Sequence, residues 1–391
     1  MPEIQDILIQ YWGEFEKKYS VPHNAFKVIQ ALINCRTSVM GAHIDQCDDC
    51  GHIKISYNSC RNRHCPKCQG IEREQWILKQ QANMLNEKYF HVVFTLPDDL
   101  NPIALRNQKV LYSLLFKAAS ETLQELADDK KHLGAQIGIT TVLHTWGQTL
   151  SFHPHLHCII PAGGLSSSNQ WIKSKKDFFI HYKVIAKKFR GKFIDLFKKE
   201  VLDGNIKFYG NIDYLNDSIK YQDLIDTLYD KNWVVFCEKT FKDASHVVNY
   251  LARYTNRVAI ANSRIIKMEN HQVTFKYKDY KDEGKTKFMT LDVLEFIRRF
   301  LMHILPKKFK KIRYFGIMAS RNRKTKLHLC KKLTRTKIIE YLRLTTDQLI
   351  EKLGLDIKKC PVCGCKKFVT KDELPRNFKA PPELLLKLYK S

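Results

Sequence analysis

The chain predicts an α+β fold, an antiparallel sheet with helices packed on it. Strand-like runs at residues 89–96 and 233–238 stand well apart, and segments with helical apolar spacing, residues 102–127 and 185–201, lie around and between them. A cysteine-rich, irregular stretch at residues 35–68 adds a metal-binding module ahead of the sheet.

The elements follow in order. Residues 4–35 have helix-like apolar spacing, and Ser20-Val21-Pro22 breaks them into two helices. A polar helix spans about 72–86, and the strand at 89–96 is closed by Pro97. After the helix at 102–127, residues 135–146 read as a strand running into a histidine segment, Ser151-Phe152-His153-Pro154-His155-Leu156-His157-Cys158. Pro161-Ala162-Gly163-Gly164 ends that strand. A lysine-rich helix at 185–201, the strand at 233–238 and a helix at about 243–255 come next. Residues 258–268 and 272–277 read as a hairpin. The expected domains are 1–85, helical and zinc-binding; 86–320, carrying the chemistry; and 321–391, a basic region with a second cysteine knuckle. No internal repeat interrupts this order.

Lys and Arg number 66 against 40 Asp and Glu, a net charge of +26 over 391 residues, which points to a polyanionic partner. Nucleic acid is the leading candidate. A membrane surface is the competitor, but no apolar run is long enough to span a bilayer, and the acidic start is unlike a secretory leader. A soluble protein of a reducing, cytoplasmic compartment is expected, with its twelve cysteines serving metal sites rather than disulfides. Gly284-Lys285-Thr286 is not a phosphate-binding loop, because Asp279 stands where such a loop requires glycine. No nucleoside triphosphate is therefore expected as a partner.

Side chains alternate along a strand, so His155 and His157 share a face and could offer two imidazoles to one divalent ion, while Leu156 and Cys158 face the core. Tyr250 and Tyr254 lie four apart in a helical pattern, roughly 6 Å along the axis, so both phenols could reach one phosphate. Either pair alone is commonly structural: histidines are often half-buried, and a tyrosine pair beside Val247, Val248 and Leu251 is often packing. Together, in so basic a chain, they suggest DNA strand cleavage.

Cys47-Asp48-Asp49-Cys50 and Cys65-Pro66-Lys67-Cys68 form a paired C-x2-C pattern, which predicts one tetrahedral zinc held by both knuckles. Cys60, His64, Cys35 and His43 suffice for a second zinc. Arg61, Arg63 and Lys67 sit on the second knuckle, where a rigid loop could offer them to phosphates. Cys360-Pro361-Val362-Cys363-Gly364-Cys365 repeats the knuckle with three obvious ligands; a fourth could come from His328 or Cys330, or the turn could be metal-free. Residues 298–337 hold fifteen Lys or Arg and no acid, interleaved with Phe300, Phe309, Tyr314 and Phe315, a composition that suits single-stranded DNA.

The segments around Cys60-Arg61-Asn62-Arg63-His64-Cys65, Phe94-Thr95-Leu96-Pro97, His144-Thr145-Trp146-Gly147-Gln148, His153-Pro154-His155-Leu156-His157, Tyr250-Leu251-Ala252-Arg253-Tyr254 and Phe296-Ile297-Arg298-Arg299-Phe300 resemble, in order and spacing, the rolling-circle transposases of the HUH endonuclease superfamily. The likeness is to the two-tyrosine insertion-sequence family with an N-terminal zinc-binding domain. It implies an HUH nuclease core, a catalytic Mg²⁺ or Mn²⁺ on His155 and His157, and nucleophiles at Tyr250 and Tyr254. It also implies a polar third ligand upstream, for which Gln148 is the choice and His144 and His153 the alternatives. Arg253, Arg257, Arg321 and Arg323 are expected to meet DNA, whereas Asn256 stands where many relatives have histidine and carries no assigned role. A plasmid replication initiator or relaxase would share this chemistry, and a non-catalytic zinc-dependent DNA-binding protein would share the composition.

Overall fold

The computed structural model describes residues 1–175, 179–241, 259–353 and 359–379. They form two compact units, each assembled from separated stretches of chain.

One unit comprises Trp76–Thr255 and Leu305–Tyr341. Its frame is a five-stranded sheet built from β3 (Tyr89–Thr95), β4 (Gly138–Trp146), β5 (Phe152–Pro161), β8 (Val235–Phe241) and β12 (Ile312–Gly316), in the order β12-β4-β5-β3-β8. Every pairing in it is antiparallel. Alternation along the strands gives the sheet two different faces. Phe90, Val92 and Phe94 of β3 and Leu156, Cys158 and Ile160 of β5 enter one core, covered by α4 (Asn101–Arg106), α5 (Gln108–Asp128), α6 (Tyr182–Leu202) and α7 (Ser218–Asp230). Phe189, Phe193 and Phe197 recur every four residues on α6 and are all fully buried, each worth about 1.5–3 kcal/mol. Phe189 meets Phe94 edge-on at 4.7 Å, which locks helix to sheet. Asp217 caps α7 by accepting the N–H groups of Ile219 and Lys220 at 2.9 and 3.0 Å. The opposite sheet face carries the histidines. A small ribbon of β6 (Gly163–Leu165) and β7 (Trp171–Lys173) follows β5, and a Cβ on Gly163 would lie 2.7 Å from the Ile172 carbonyl.

The other unit comprises Met1–Gln75, Asn256–Ile304 and Leu342–Ser391. Helices α1 (Ile4–Lys18) and α2 (His23–Ile33) pack on each other, separated by the expected break at Pro22. The hairpin β1 (Ala42–Cys47) and β2 (Ile53–Tyr57) takes β13 (Phe368–Leu374) as a third strand, in the order β13-β1-β2. A separate meander of β9 (Ile265–Glu269), β10 (Gln272–Asp279) and β11 (Lys285–Asp292) precedes α8 (Val293–Met302). Helix α3 (Gln69–Gln81) contains the boundary between the units; α9 (Lys326–Leu333) and α10 (Thr346–Lys352) complete the described helices.

The α+β expectation is met, with local corrections. The strand at 135–146 does not run into the histidines: the Gly147 carbonyl accepts from the N–H of Leu150, which adopts φ +59, and a tight turn folds β5 back on β4. The helix at 102–127 is broken at Asn107, whose ψ of 38 leaves the helical range. Residues 35–68 contain a hairpin, and the expected hairpin near 258–277 is a three-stranded meander beginning at Ile265. The units also cut across the expected segments, since residues 321–341 fall in one and 342–391 in the other.

Candidate active site and cysteine clusters

His144 and His155 face each other directly across the β4–β5 ladder, and His157 pairs with Val142 one step further along the same face. The ladder is irregular just beyond His144, between it and Trp146. Ring centroids lie 4.6 Å apart for His144 and His157, 5.0 Å for His155 and His157, and 5.3 Å for His144 and His155. Their ligand nitrogens all fall within 4.8 Å of one another. Three imidazoles thus converge where two were expected from β5 alone.

Hydrogen bonds orient the rings. Nδ1 of His155 donates to the His153 carbonyl at 2.7 Å, which leaves Nε2 with its lone pair. Nδ1 of His157 lies 2.9 Å from Nε2 of His91, a histidine on β3 that is only 2% exposed. Sequence reasoning missed His91; its signal is position, since it shares the outward register of β3 with Val93, which faces His157. Burial pulls the His155 imidazole down to about 4. Burial, then the neighbouring His144, His155 and His91, holds His157 well below the usual histidine range. His155 and His157 are therefore neutral at pH 7 and able to coordinate. Three imidazole nitrogens fit a first-row transition ion such as Mn²⁺ better than Mg²⁺, which prefers oxygen ligands.

Gln148 lies in the turn between the strands and is partly buried; His144, one of the alternatives, occupies the convergent position. His153 lies beside His155 at 5.2 Å, with its pKa lowered by burial. Tyr250, Tyr254, Arg253 and Arg257 lie outside the described residues.

The cysteines pair differently from the sequence expectation. The two N-terminal knuckles do not converge on one site. Cys65 and Cys68 join Cys35 and Cys60, whereas Cys47 and Cys50 join Cys360 and Cys363. Sγ separations are 3.6–3.7 Å in the first cluster (Cys35–Cys68, Cys60–Cys68, Cys35–Cys65) and 3.5–3.6 Å in the second (Cys47–Cys363, Cys50–Cys360). A tetrahedral zinc with bonds of about 2.3 Å requires S···S edges of about 3.8 Å, while a disulfide would need about 2.05 Å. The cysteines are free thiols and the spacing fits zinc. Backbone N–H groups of the knuckle, that of Cys50 first, lower the Cys47 thiol to about 6, and neighbouring thiols, Cys60 first, lower Cys35 to about 7. These two shifts favour the thiolate that a metal takes, while the neighbouring Cys35 thiol raises Cys60 and Cys65 in turn. His43 and His64 stand outside both clusters, as do His328 and Cys330, the latter buried in an apolar cluster of the sheet unit.

Among the basic candidates, Arg61 is exposed, Arg63 is half-buried, and Lys67 is bound to Glu3 and, at 2.7 Å, to Gln5. Arg298 and Arg299 pair with Glu295 at 2.6 and 2.7 Å. Arg321 is exposed, and the Arg323 guanidinium lies over Tyr314 at 5.3 Å. The aromatics of this stretch are mostly not free for bases: Phe300 and Phe309 are buried core residues, and Phe315 packs against the sheet core.

Residues 138–326 match the family model described as "Putative transposase", and residues 7–96 match the "Transposase zinc-binding domain". The chain is 40% identical over 376 residues to "Putative transposase y4qJ" of Sinorhizobium fredii, covering 94% of each chain. It is 27% identical over 374 residues to "Transposase for insertion sequence element IS801" of Pseudomonas savastanoi pv. phaseolicola, covering 92% of this chain and 87% of the relative. No helix among the described residues is long and apolar enough to cross a membrane.

Proposed function

Because the chain belongs to the transposase family of the IS91/IS801 type, we propose that it nicks and joins single-stranded DNA by tyrosine transesterification during rolling-circle transposition. The convergence of His144, His155 and His157 on one sheet face carries this reading. In it, these histidines would hold a divalent ion, Mn²⁺ by donor type, with His144 in the place first given to Gln148. When bound, the ion polarises the phosphate and draws the tyrosine toward its phenolate.

The phenolic oxygen of Tyr250 or Tyr254 attacks phosphorus, and the bond from phosphorus to the 3′ oxygen breaks. The phenol loses its proton and the departing 3′ oxygen gains one, so a 5′-phosphotyrosine and a free 3′-OH result. A 3′-OH later attacks the phosphotyrosine and restores a phosphodiester; the bond energy is retained and no triphosphate is consumed. Two tyrosines let one hold a cleaved end while the other cuts. The net charge of +26 favours the encounter with DNA.

A single-stranded oligonucleotide labelled at either end tests this. The fragment upstream of the nick should carry an extendable 3′-OH, and the downstream fragment should be blocked by protein at its 5′ end. Two protein-free ends would indicate hydrolysis and refute the transesterification.

A further inference from the structure

The match to the zinc-binding domain ends at residue 96, yet the second cysteine cluster takes half its thiols from Cys360 and Cys363. Strand β13 reaches that cluster by pairing antiparallel with β1, Cys47 opposite Phe368 and Ala42 opposite Leu374. The Asp48 N–H donates to the Lys367 carbonyl at 3.1 Å, which continues the ladder to the knuckle. Five of the seven β13 residues are exposed, so little apolar burial holds the strand in place. Beside the ladder and the Thr370–Asp45 hydrogen bond at 2.9 Å, four thiols at zinc spacing tie this edge to the hairpin.

Where β13 ends, Leu374, Pro375 and Arg376 form one wall of a cleft of about 480 Å³, and Asn58, Ser59, Cys60 and Arg61 form the other. Each wall is fixed by a different cluster: Cys60 belongs to the first, and β13 is tied down by the second. Gly41 sits against both walls, since a Cβ there would lie 2.8 Å from the Leu374 carbonyl and 3.3 Å from the Asn58 side-chain amide. Arg61, at φ +51, and Arg376 are exposed, and neither guanidinium has an ion pair or hydrogen bond among the described residues. His43 also lines the cleft, with Glu373, 80% exposed, 3.9 Å from its Nδ1.

We propose that Cys47, Cys50, Cys360 and Cys363 form a discontinuous zinc site that pins the C-terminal strand to the N-terminal hairpin, and that the cleft so closed clamps a DNA phosphodiester between Arg61 and Arg376. Two planar forks on opposite walls suit one phosphate, and neither end of the chain supplies both. This inference rests on the protein's acting on DNA and not on the tyrosine chemistry, so it can fail while the nuclease reading stands.

The test uses the full chain without chelator or added divalent ion. Zinc per chain is measured by elemental mass spectrometry, and binding to a single-stranded oligonucleotide is followed across a salt series. The parent protein should hold two zinc ions, and Cys360→Ser with Cys363→Ser should hold one. Cys365→Ser, outside the cluster, should keep both. Arg61→Ala with Arg376→Ala should keep two zinc ions while the log–log salt slope falls by about 0.7, the contribution of one phosphate on a single strand. Adding those arginine substitutions to the serine variant should change the slope no further. Two zinc ions in the serine variant would overturn the latch, and an unchanged slope in the arginine variant, which retains every zinc ligand, would overturn the clamp.

Discussion

Replacing His91 with phenylalanine separates orientation of the proposed metal ligands from their mere presence. His91 is 2% exposed, and its Nε2 lies 2.9 Å from Nδ1 of His157. The rings stack at 5.2 Å with 7° between planes, so a phenyl ring preserves the packing and removes the nitrogen. Partners of this kind, which fix the tautomer and angle of a ligating imidazole, are worth about 10- to 100-fold in metal affinity, or about 1.4–2.7 kcal/mol. His91→Phe should therefore weaken Mn²⁺ binding by that factor in an electron paramagnetic resonance titration, and nicking should recover at high Mn²⁺. His91→Gln, which keeps an acceptor near the same position, should recover part of the loss. A purely structural histidine would lower the melting temperature and leave Mn²⁺ affinity within about twofold of the parent. That result would refute the positioning role.

Four other outcomes are expected. His155→Ala and His157→Ala should each abolish metal-dependent nicking while circular dichroism stays near that of the parent; nicking at the parental rate by both would remove the metal centre. The pH dependence follows from the sign of the shifts. His155 titrates near 4 in the fold, below the roughly 6.5 of an unfolded chain, so its contribution to stability is full above about 6.5 and is lost as pH falls toward 4. Thermal melts should accordingly fall as pH drops below about 6.5, less steeply in His155→Ala. Single Tyr250→Phe and Tyr254→Phe variants should retain some oligonucleotide nicking but lose most transposition, and the double variant should retain neither; a single variant indistinguishable from the parent in both assays would reduce the mechanism to one tyrosine. Neutralising Arg321, Arg323, Lys324 and Lys326 should flatten the salt dependence of DNA binding by up to about 0.7 for each phosphate that is no longer neutralised, and an unchanged slope would place the main binding surface elsewhere.

The features legible in the chain alone are periodic and local. Alternation places His155 and His157 on one face and Leu156 and Cys158 in the core, and the β5 register has them so. The cysteine knuckles are visible for the same reason, since each is a four-residue turn. Which knuckle joins which is not legible, because the partners Cys50 and Cys360 are 310 residues apart and meet only through the β1–β13 ladder. His144 is ambiguous because an irregular hairpin decides its register, and no local pattern encodes that register. His91 looks like one more residue of an apolar strand until β3 is set beside β5. The aromatics between the cations of residues 298–337 mislead in the opposite direction: their spacing suits stacking on bases, but Phe300 and Phe309 are buried in the cores of the two units.

If a tyrosine becomes joined to DNA under the control of His144, His155 and His157, peptide mapping of the adduct will locate the bond. The full-length protein is incubated with Mn²⁺ and a suicide oligonucleotide whose upstream fragment dissociates after cleavage, then digested and examined by mass spectrometry. The expected spectrum shows a nucleotide mass on the peptide containing Tyr250 and Tyr254, dependent on Mn²⁺ and absent from a His155→Ala, His157→Ala double variant. Oligonucleotide bound in full yet carrying no protein adduct, or an adduct on any other residue, would contradict the assignment.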